Sequence, residues 1–194
     1  MMEFDSDLER LAWETYRHGT ATPASQPQGG KVGKTPWLVK GFLRRGALVY
    51  LAAEGGSGKT TLLYHLAETI TTGGFFLNQL PCEKGRVLVV QGDEPAADAE
   101  HKFRVMGLEK GFDIDFVESS LDLPWLEEKV SNQSYDAVLI DSATSLLEKD
   151  DQESKDPKFT RLLYGLNHLF SKHQVTGVIS AHLIKPADGQ IRRA

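Results

Sequence analysis

The sequence lacks the features that mark secreted, disulfide-rich and membrane-spanning proteins. It has one cysteine in 194 residues, Cys82, which excludes an intramolecular disulfide and a cysteine metal cluster and fits a reducing compartment. No apolar run approaches the ~18–20 residues that a membrane-spanning helix needs. The acidic start of the chain does not resemble a signal peptide. We therefore expect a cytoplasmic protein that has no membrane partner.

Positive charge is also in short supply. The chain has 22 Lys and Arg against 27 Asp and Glu, a formal net charge of −5. This balance argues against a broadly basic surface for nucleic acid, although a local basic loop remains compatible with it. The hydrophobic content of 40% and charged content of 25% are those of an ordinary globular protein with a full core.

Three regions of the chain differ in composition. Residues 1–18 are predicted to contain a short amphipathic helix, because apolar side chains recur at helical spacing behind Asp5 and Ser6. Residues 19–36 are rich in Gly, Pro, Ser, Thr and Gln and are predicted to be a flexible linker. Residues 37–194 are predicted to form one core, which we expect to lack its C-terminal part.

Within this core, apolar strands alternate with helical segments. Strands are predicted at residues 47–51, 86–91, 112–117, 135–140 and 175–181, and helices at residues 61–70, 95–106, 123–130 and 158–172. The alternation predicts an α/β fold with a mainly parallel sheet that is covered by helices on both faces.

The segment between the first strand and the first helix is rich in glycine and ends in Lys-Thr. Its residues are Ala53, Glu54, Gly55, Gly56, Ser57, Gly58, Lys59 and Thr60. A strand, such a loop and a helix together are the context of a phosphate-binding P-loop. Glycines let backbone N–H groups converge on phosphate oxygens, and the helix directs its positive end at the same anion.

Two side chains of this loop are predicted to bind ligand directly. Lys59 is expected to contact the β- and γ-phosphates of a nucleotide, and the Thr60 hydroxyl to hold Mg²⁺. Ala53 stands where the pattern has Gly, and we expect a conformational cost there if its φ must be positive. The alternative is a glycine turn before a helix that binds nothing.

Polar residues also follow three other predicted strands, where an open parallel sheet collects its ligands. Asp141 is predicted to hold Mg²⁺. Asp93 and Glu94 offer a carboxylate to orient or deprotonate the attacking water, although Asp93 is also a good helix cap before Pro95. His182 either senses the γ-phosphate or is a hydrogen-bonded structural residue.

The order of these motifs carries a resemblance to a known family. The lead-in at residues 36–41, the loop from Glu54 to Thr61, the run at residues 87–95, the triplet at residues 139–141 and the segment at residues 178–185 recur in the same order there. By these motifs the chain resembles the RecA-like ATPases typified by the plasmid RepA replicative helicase and, more distantly, the DnaB-type helicases.

The resemblance implies a RecA-like core, Mg²⁺-dependent ATP hydrolysis and a homo-oligomeric, usually hexameric, ring with nucleotide between subunits. In it Asp141 matches the metal-site Asp, His182 the second His of a sensor pair and Lys185 the basic residue that follows. A basic finger that acts in trans would fall near Lys102, with Arg104 as the nearby arginine. Single-stranded DNA is the partner that the resemblance implies for the full protein.

The chain departs from the family pattern at the catalytic acid and at the sensor pair. Where the family has Glu-Asp-Pro, this chain has Asp93, Glu94 and Pro95, which places the shorter side chain at the position of the catalytic base. Ala181 replaces the first His of the pair. We therefore expect slow intrinsic hydrolysis, with either of the two acids as the catalytic carboxylate.

Three functions remain open from the sequence. An ATPase motor or loader agrees with the motif order, whereas a low-turnover ATP switch that recruits a protein partner agrees with the acid exchange. A small-molecule kinase fits less well, because residues 148–156 are acidic where a kinase lid needs arginine.

Overall fold

A computed structural model describes residues 36–92, 94–108, 113–116, 122–143 and 157–182 of the chain. The predicted N-terminal helix, almost all of the predicted linker, Asp93 and Lys185 lie outside these ranges. In chain order the elements are β1 (Trp37–Val39), β2 (Leu43–Arg44), β3 (Leu48–Ala53), α1 (Lys59–Thr72), β4 (Phe75–Phe76), β5 (Leu80–Pro81), β6 (Val87–Gln91), α2 (Ala96–Met106), β7 (Asp113–Phe116), α3 (Leu123–Gln133), β8 (Ala137–Asp141), α4 (Pro157–His173) and β9 (Thr176–His182).

Five of the strands form one sheet in the order β3-β9-β8-β6-β7, and each neighbouring pair is parallel. The predicted α/β fold with a parallel sheet is confirmed. The strands β6 and β8 are buried along their whole length, as expected for central strands covered on both faces. Register places Ala53 opposite His182 and Gln91 opposite Asp141, so the carboxyl ends of four strands meet at one edge.

Helices cover both faces of this sheet. On one face, Leu63, Ala67 and Ile70 of α1 pack with Phe103 of α2 against alternate residues of β6 and β8. On the other face, α3 and α4 pack against the intervening residues of the same strands. A buried strand therefore sends successive side chains into two separate cores, which explains its continuous apolar sequence.

Two short hairpins were not predicted. The strands β1 and β2 pair antiparallel, as do β4 and β5. In the connection between β4 and β5, Leu77 and Asn78 both take positive φ values of 51° and 59°. Neither is glycine, so the usual sequence signal for such a turn is missing. Arg45, which follows β2, forms a 2.6 Å ion pair with Asp136 just before β8, and so ties the first hairpin to the amino edge of the sheet.

The helix α2 begins later than predicted. Pro95 is its N-cap residue and Ala96 its first helical residue, so Pro95 precedes the first turn instead of lying within it. Across the described ranges, none of the helices is both long enough and apolar enough to cross a bilayer.

Candidate active site

The P-loop forms an open cradle at the carboxyl end of β3. Gly56 and Gly58 have φ values of 74° and 89°, and a Cβ added at either position would meet no atom within 4 Å. The space above both glycines is thus clear, and their backbone conformation is one that side chains with a Cβ rarely adopt. Ala53 keeps extended geometry as the last residue of β3, so the strain that its substitution for Gly could have caused does not arise.

Lys59 lies across this loop. Its ammonium donates hydrogen bonds to the carbonyl oxygens of Ala53 at 3.1 Å and Glu54 at 2.9 Å. Lys59 is only 7% exposed. Lys59 is also the first residue of α1, and half-buried Thr60 follows it. The loop, the lysine and the positive end of the helix thus face the same space.

Asp141 lies at the same edge, at the end of β8, and is 2% exposed. The Ser180 hydroxyl, on β9, donates to its Oδ1, and Gln91 Nε2, on β6, lies 3.4 Å from its Oδ2. Both donors come from the strands that flank β8. A buried carboxylate with a donor on each oxygen is held in one orientation, as a metal-binding carboxylate needs to be.

Glu94 is the most heavily bonded acid of the site. Its Oε1 accepts a 2.6 Å hydrogen bond from the Tyr64 hydroxyl and a 3.2 Å bond from Gln91 Nε2. Its Oε2 accepts from the Lys102 ammonium, with which it forms an ion pair. Burial raises the pKa of Tyr64, and the hydrogen bond to Glu94 raises it further, so Tyr64 stays a neutral donor.

The predicted site residues are thus brought together in large part. The loop, Lys59, Thr60, Asp141 and Glu94 share one edge of the sheet. His182 ends β9 at the level of Ala53, so its backbone is at this edge as well. Arg104 is exposed on α2, whereas Lys102 on the same helix is paired with Glu94.

Sequence reasoning did not single out Tyr64, Gln91 or Ser180. All three are buried and all three bond to an acid of the site. A signal was present for two of them, because Gln91 and Ser180 are polar residues near the carboxyl ends of otherwise apolar strands. A buried polar residue needs a partner, so such a position indicates a polar neighbour at the same level of the sheet.

The donor set fits Mg²⁺ bound with a nucleotide. Within the described ranges, no group of three or more His, Cys, Asp and Glu side chains could hold a metal by itself. Mg²⁺ bound with phosphates takes only one or two protein ligands and fills its other positions with water and phosphate oxygens. Thr60 and Asp141 fit that demand, and the two open glycines leave room for the phosphates.

The fold and the loop define a RecA-like P-loop ATPase that binds ATP. The chain belongs to the AAA domain family AAA_25, whose family model matches residues 22–188. No curated protein sequence matches the chain at the level that indicates a relative.

A solved structure supports the same fold. The KaiC-like protein of the hyperthermophilic archaeon Pyrococcus horikoshii OT3 is similar to this chain with a TM-score of 0.57 and 19% sequence identity. The similarity covers 82% of this chain and 72% of the archaeal one. At this identity the similarity establishes a shared fold.

Proposed function

We propose that the chain hydrolyses ATP with Mg²⁺ as part of a ring-forming ATPase of the RepA-like helicase type, acting in DNA replication or mobilisation. The observation that carries the proposal is the position of Lys59 and Asp141 at one edge of the sheet. Lys59 begins the helix that follows β3, Asp141 ends β8, and β9 alone lies between these two strands. A phosphate-binding lysine and a buried carboxylate in this relation are what phosphoryl transfer from a nucleotide requires.

Each residue has a defined part in this proposal. The backbone amides from Glu54 to Thr61 and the Lys59 ammonium bind the phosphates, while Thr60 and Asp141 hold the metal. When bound, Mg²⁺ neutralises charge that develops on the phosphate oxygens. A carboxylate, Asp93 or Glu94, orients the attacking water. In this proposal His182 senses the γ-phosphate.

The partners are proposed from the order of the sequence motifs that the chain shares with the RepA-like ATPases. In a homo-oligomeric ring, hexameric by resemblance, a basic residue of one subunit reaches the nucleotide of the next. Lys102, Arg104 and Lys185 are the candidates for this finger, and the exposure of Arg104 on α2 is compatible with that role. Single-stranded DNA is the proposed polymer partner.

A second function, the low-turnover ATP switch, has one observation in its favour. Glu94 accepts hydrogen bonds from Tyr64, Gln91 and Lys102, which take three of its about four acceptor sites. Because Glu94 is bonded in this way and the other acid, Asp93, has a shorter side chain than Glu, ATP hydrolysis is expected to be slow. Slow hydrolysis with tight binding is the behaviour of a switch.

Phosphate release from MgATP by the full protein, measured with and without single-stranded DNA, distinguishes the motor from the switch. A motor is expected to hydrolyse slowly alone, well below about 10 s⁻¹, the median for enzymes, and several-fold faster with DNA. A switch is expected to bind ATP with negligible turnover that DNA does not change. Light scattering with and without nucleotide reports the oligomer in the same samples.

Three variants make the measurement specific. Lys59→Ala is expected to abolish nucleotide binding. Asp141→Asn is expected to abolish hydrolysis and to make ATP binding less dependent on Mg²⁺. Lys40→Ala removes an exposed lysine from the turn between β1 and β2 and serves as the matched control. If the Lys59→Ala variant binds ATP as tightly as the wild type does, the proposed site is wrong.

A further inference from the structure

Glu94 accepts hydrogen bonds from three elements of the fold. Tyr64 comes from α1, Gln91 from the end of β6 and Lys102 from α2. Only 11% of the Glu94 side chain is exposed. A general base must turn a free lone pair towards the water that it deprotonates. Three of the about four acceptor sites of the carboxylate are taken. Turning the side chain to aim the remaining site at a water molecule would break at least one of these bonds.

The orientation of Gln91 is fixed by its surroundings. Its amide nitrogen lies 2.8 Å from the Tyr64 oxygen, 3.2 Å from Glu94 Oε1 and 3.4 Å from Asp141 Oδ2. Two of these three neighbours are carboxylates, so only the NH₂ group can face them, and the opposite flip would set oxygen against oxygen. The two N–H groups of Gln91 are shared among these three oxygens, and in this way the amide bridges Glu94 to the buried Asp141.

Tyr64 connects the same cluster to the P-loop. It lies on α1, the helix that begins at Lys59, and its ring packs on Phe103 of α2 with 4.7 Å between centroids. The hydroxyl of Tyr64 donates to Glu94 and accepts from Gln91. The cluster of Tyr64, Gln91, Glu94 and Lys102, here called the Glu94 clamp, thus joins the phosphate-binding helix, the start of α2 and Asp141.

We infer that Glu94 is a positioning residue and not the proton acceptor of the reaction. It fixes the start of α2 against the P-loop helix and, through Gln91, holds Asp141 in its metal-binding orientation. This inference rests on the proposed ATPase function and narrows it, because it removes one of the two candidate carboxylates. It also assigns Lys102 to the Glu94 clamp of its own subunit.

The two roles of Glu94, positioning and base catalysis, predict opposite effects of Lys102→Met on turnover. If Glu94 positions, removal of either partner of the ion pair loosens the clamp, and Glu94→Gln and Lys102→Met each lower turnover by about tenfold. The double variant is then no slower than the slower single variant, because both substitutions break one interaction. Lys102→Arg keeps the ion pair and is expected to restore turnover to near the wild-type rate.

Base catalysis predicts a different pattern. Glu94→Gln would lower turnover by about 10²- to 10⁴-fold and remove the acidic limb of the rate–pH profile. Lys102→Met would leave turnover unchanged or raise it, because it frees the carboxylate. That combination would overturn the inference. Glu127→Gln is the matched control. It breaks an exposed ion pair between Glu127 on α3 and Lys172 on α4, and it is expected to leave turnover unchanged.

A second readout keeps the inference testable if hydrolysis is too slow to follow. Stabilisation of the fold by MgATP, measured as a shift in the melting temperature, is expected to fall in Tyr64→Phe, Glu94→Gln and Lys102→Met alike. An unchanged shift in all three would overturn the inference. Tyr64→Phe retains the packing on Phe103, so loss of folding is not expected to obscure the result.

Failure of the proposed function gives a different result from failure of the inference. If the chain does not bind ATP, the wild type shows no MgATP-dependent shift and Lys59→Ala melts as the wild type does in the presence of MgATP. The clamp is then tested without nucleotide, by a double-mutant cycle of Glu94→Gln and Lys102→Met on unfolding. Additive effects in that cycle would overturn the clamp itself.

Discussion

The hydroxyl of Tyr64 donates a 2.6 Å hydrogen bond to the carboxylate of Glu94. Tyr64 lies on the helix that starts at the P-loop lysine, and Glu94 directly precedes the N-cap of α2. The two ends of this bond therefore belong to the phosphate-binding part of the molecule and to the segment that carries the acids. The bond therefore links the position of α1 to that of the segment that leads into α2.

The first prediction concerns the conformation of the P-loop. Gly58→Ala is expected to weaken ATP binding and to lower the free energy of unfolding by about 1 kcal/mol, because Ala disfavours positive φ. Gly107→Ala is the matched control, since Gly107 also has a positive φ, 66°, and open space around it, but ends α2. It should lose similar stability and keep its ATP affinity. Equal ATP affinities for the two variants would contradict the cradle.

The second prediction concerns the donor to Asp141. Ser180→Ala removes a buried hydrogen bond and is expected to lower the free energy of unfolding by about 1–3 kcal/mol. It is also expected to raise the Mg²⁺ concentration needed for half-maximal ATP binding by about tenfold, because Asp141 loses its orienting partner. Titration of Mg²⁺ at fixed ATP measures this.

Thr176→Val is the control for Ser180→Ala. Thr176 is buried on the same strand and donates to the carbonyl of Arg44 at 3.2 Å, near the amino end of β9. Its replacement by the isosteric Val should lower stability without changing the Mg²⁺ requirement. If both variants change the requirement equally, Ser180 acts through stability alone.

The third prediction concerns packing between α4 and β9. A Cβ on Gly177 would lie 2.2 Å from Phe170 and 2.9 Å from Leu48, and Phe170 is fully buried. Gly177→Ala is therefore expected to lower the free energy of unfolding by at least about 1–3 kcal/mol. In Gly74→Ala the nearest atom would be 3.8 Å away, so that variant should be near neutral. Denaturant unfolding curves compare the two.

The fourth prediction concerns alkaline pH. Burial, followed by the charge of Glu83, raises the pKa of the Cys82 thiol from 9.0 to about 11, and Arg45 opposes this only in part. The folded pKa exceeds the unfolded one, so the folded state holds the proton more tightly. Stability from this group is present below pH 9 and is lost as the pH rises towards 11.

Cys82→Ala isolates that effect from other groups. The buried Tyr64 also has a raised pKa, so the wild type loses stability at alkaline pH for more than one reason. The difference in free energy of unfolding between wild type and Cys82→Ala is expected to narrow between pH 9 and pH 11. A constant difference across this window would mean that the thiol titrates normally in the folded chain.

The sheet and the P-loop could be predicted because their signals are local. The runs that became β6 and β8 are apolar throughout, and the P-loop combines a fixed glycine spacing with a flanking strand and helix. Both hairpins escaped prediction because they are short and, at Leu77 and Asn78, turn without glycine. Weak local signals of this kind are decided by contacts that form elsewhere in the chain.

The Glu94 clamp could not be predicted for a different reason. Tyr64 looks like an ordinary core aromatic on an amphipathic helix, and its role depends on the side chain that it meets from another element. The bond between Gln91 and Asp141 likewise depends on strand order and register, which place the two residues opposite each other. Sequence spacing alone contains neither fact.

The place of β9 between β3 and β8 has a consequence for how ligands are held. Neighbouring strands lie about 4.8 Å apart, so the strand that leads to the P-loop and the strand that ends in Asp141 are separated by about 10 Å. The spacer strand keeps the two halves of the pocket from closing on an ion by themselves. In the proposed site, a metal at Asp141 would complete its coordination with water and with the phosphate oxygens of the nucleotide. Under the proposed function, nucleotide and metal would strengthen each other's binding by the same factor.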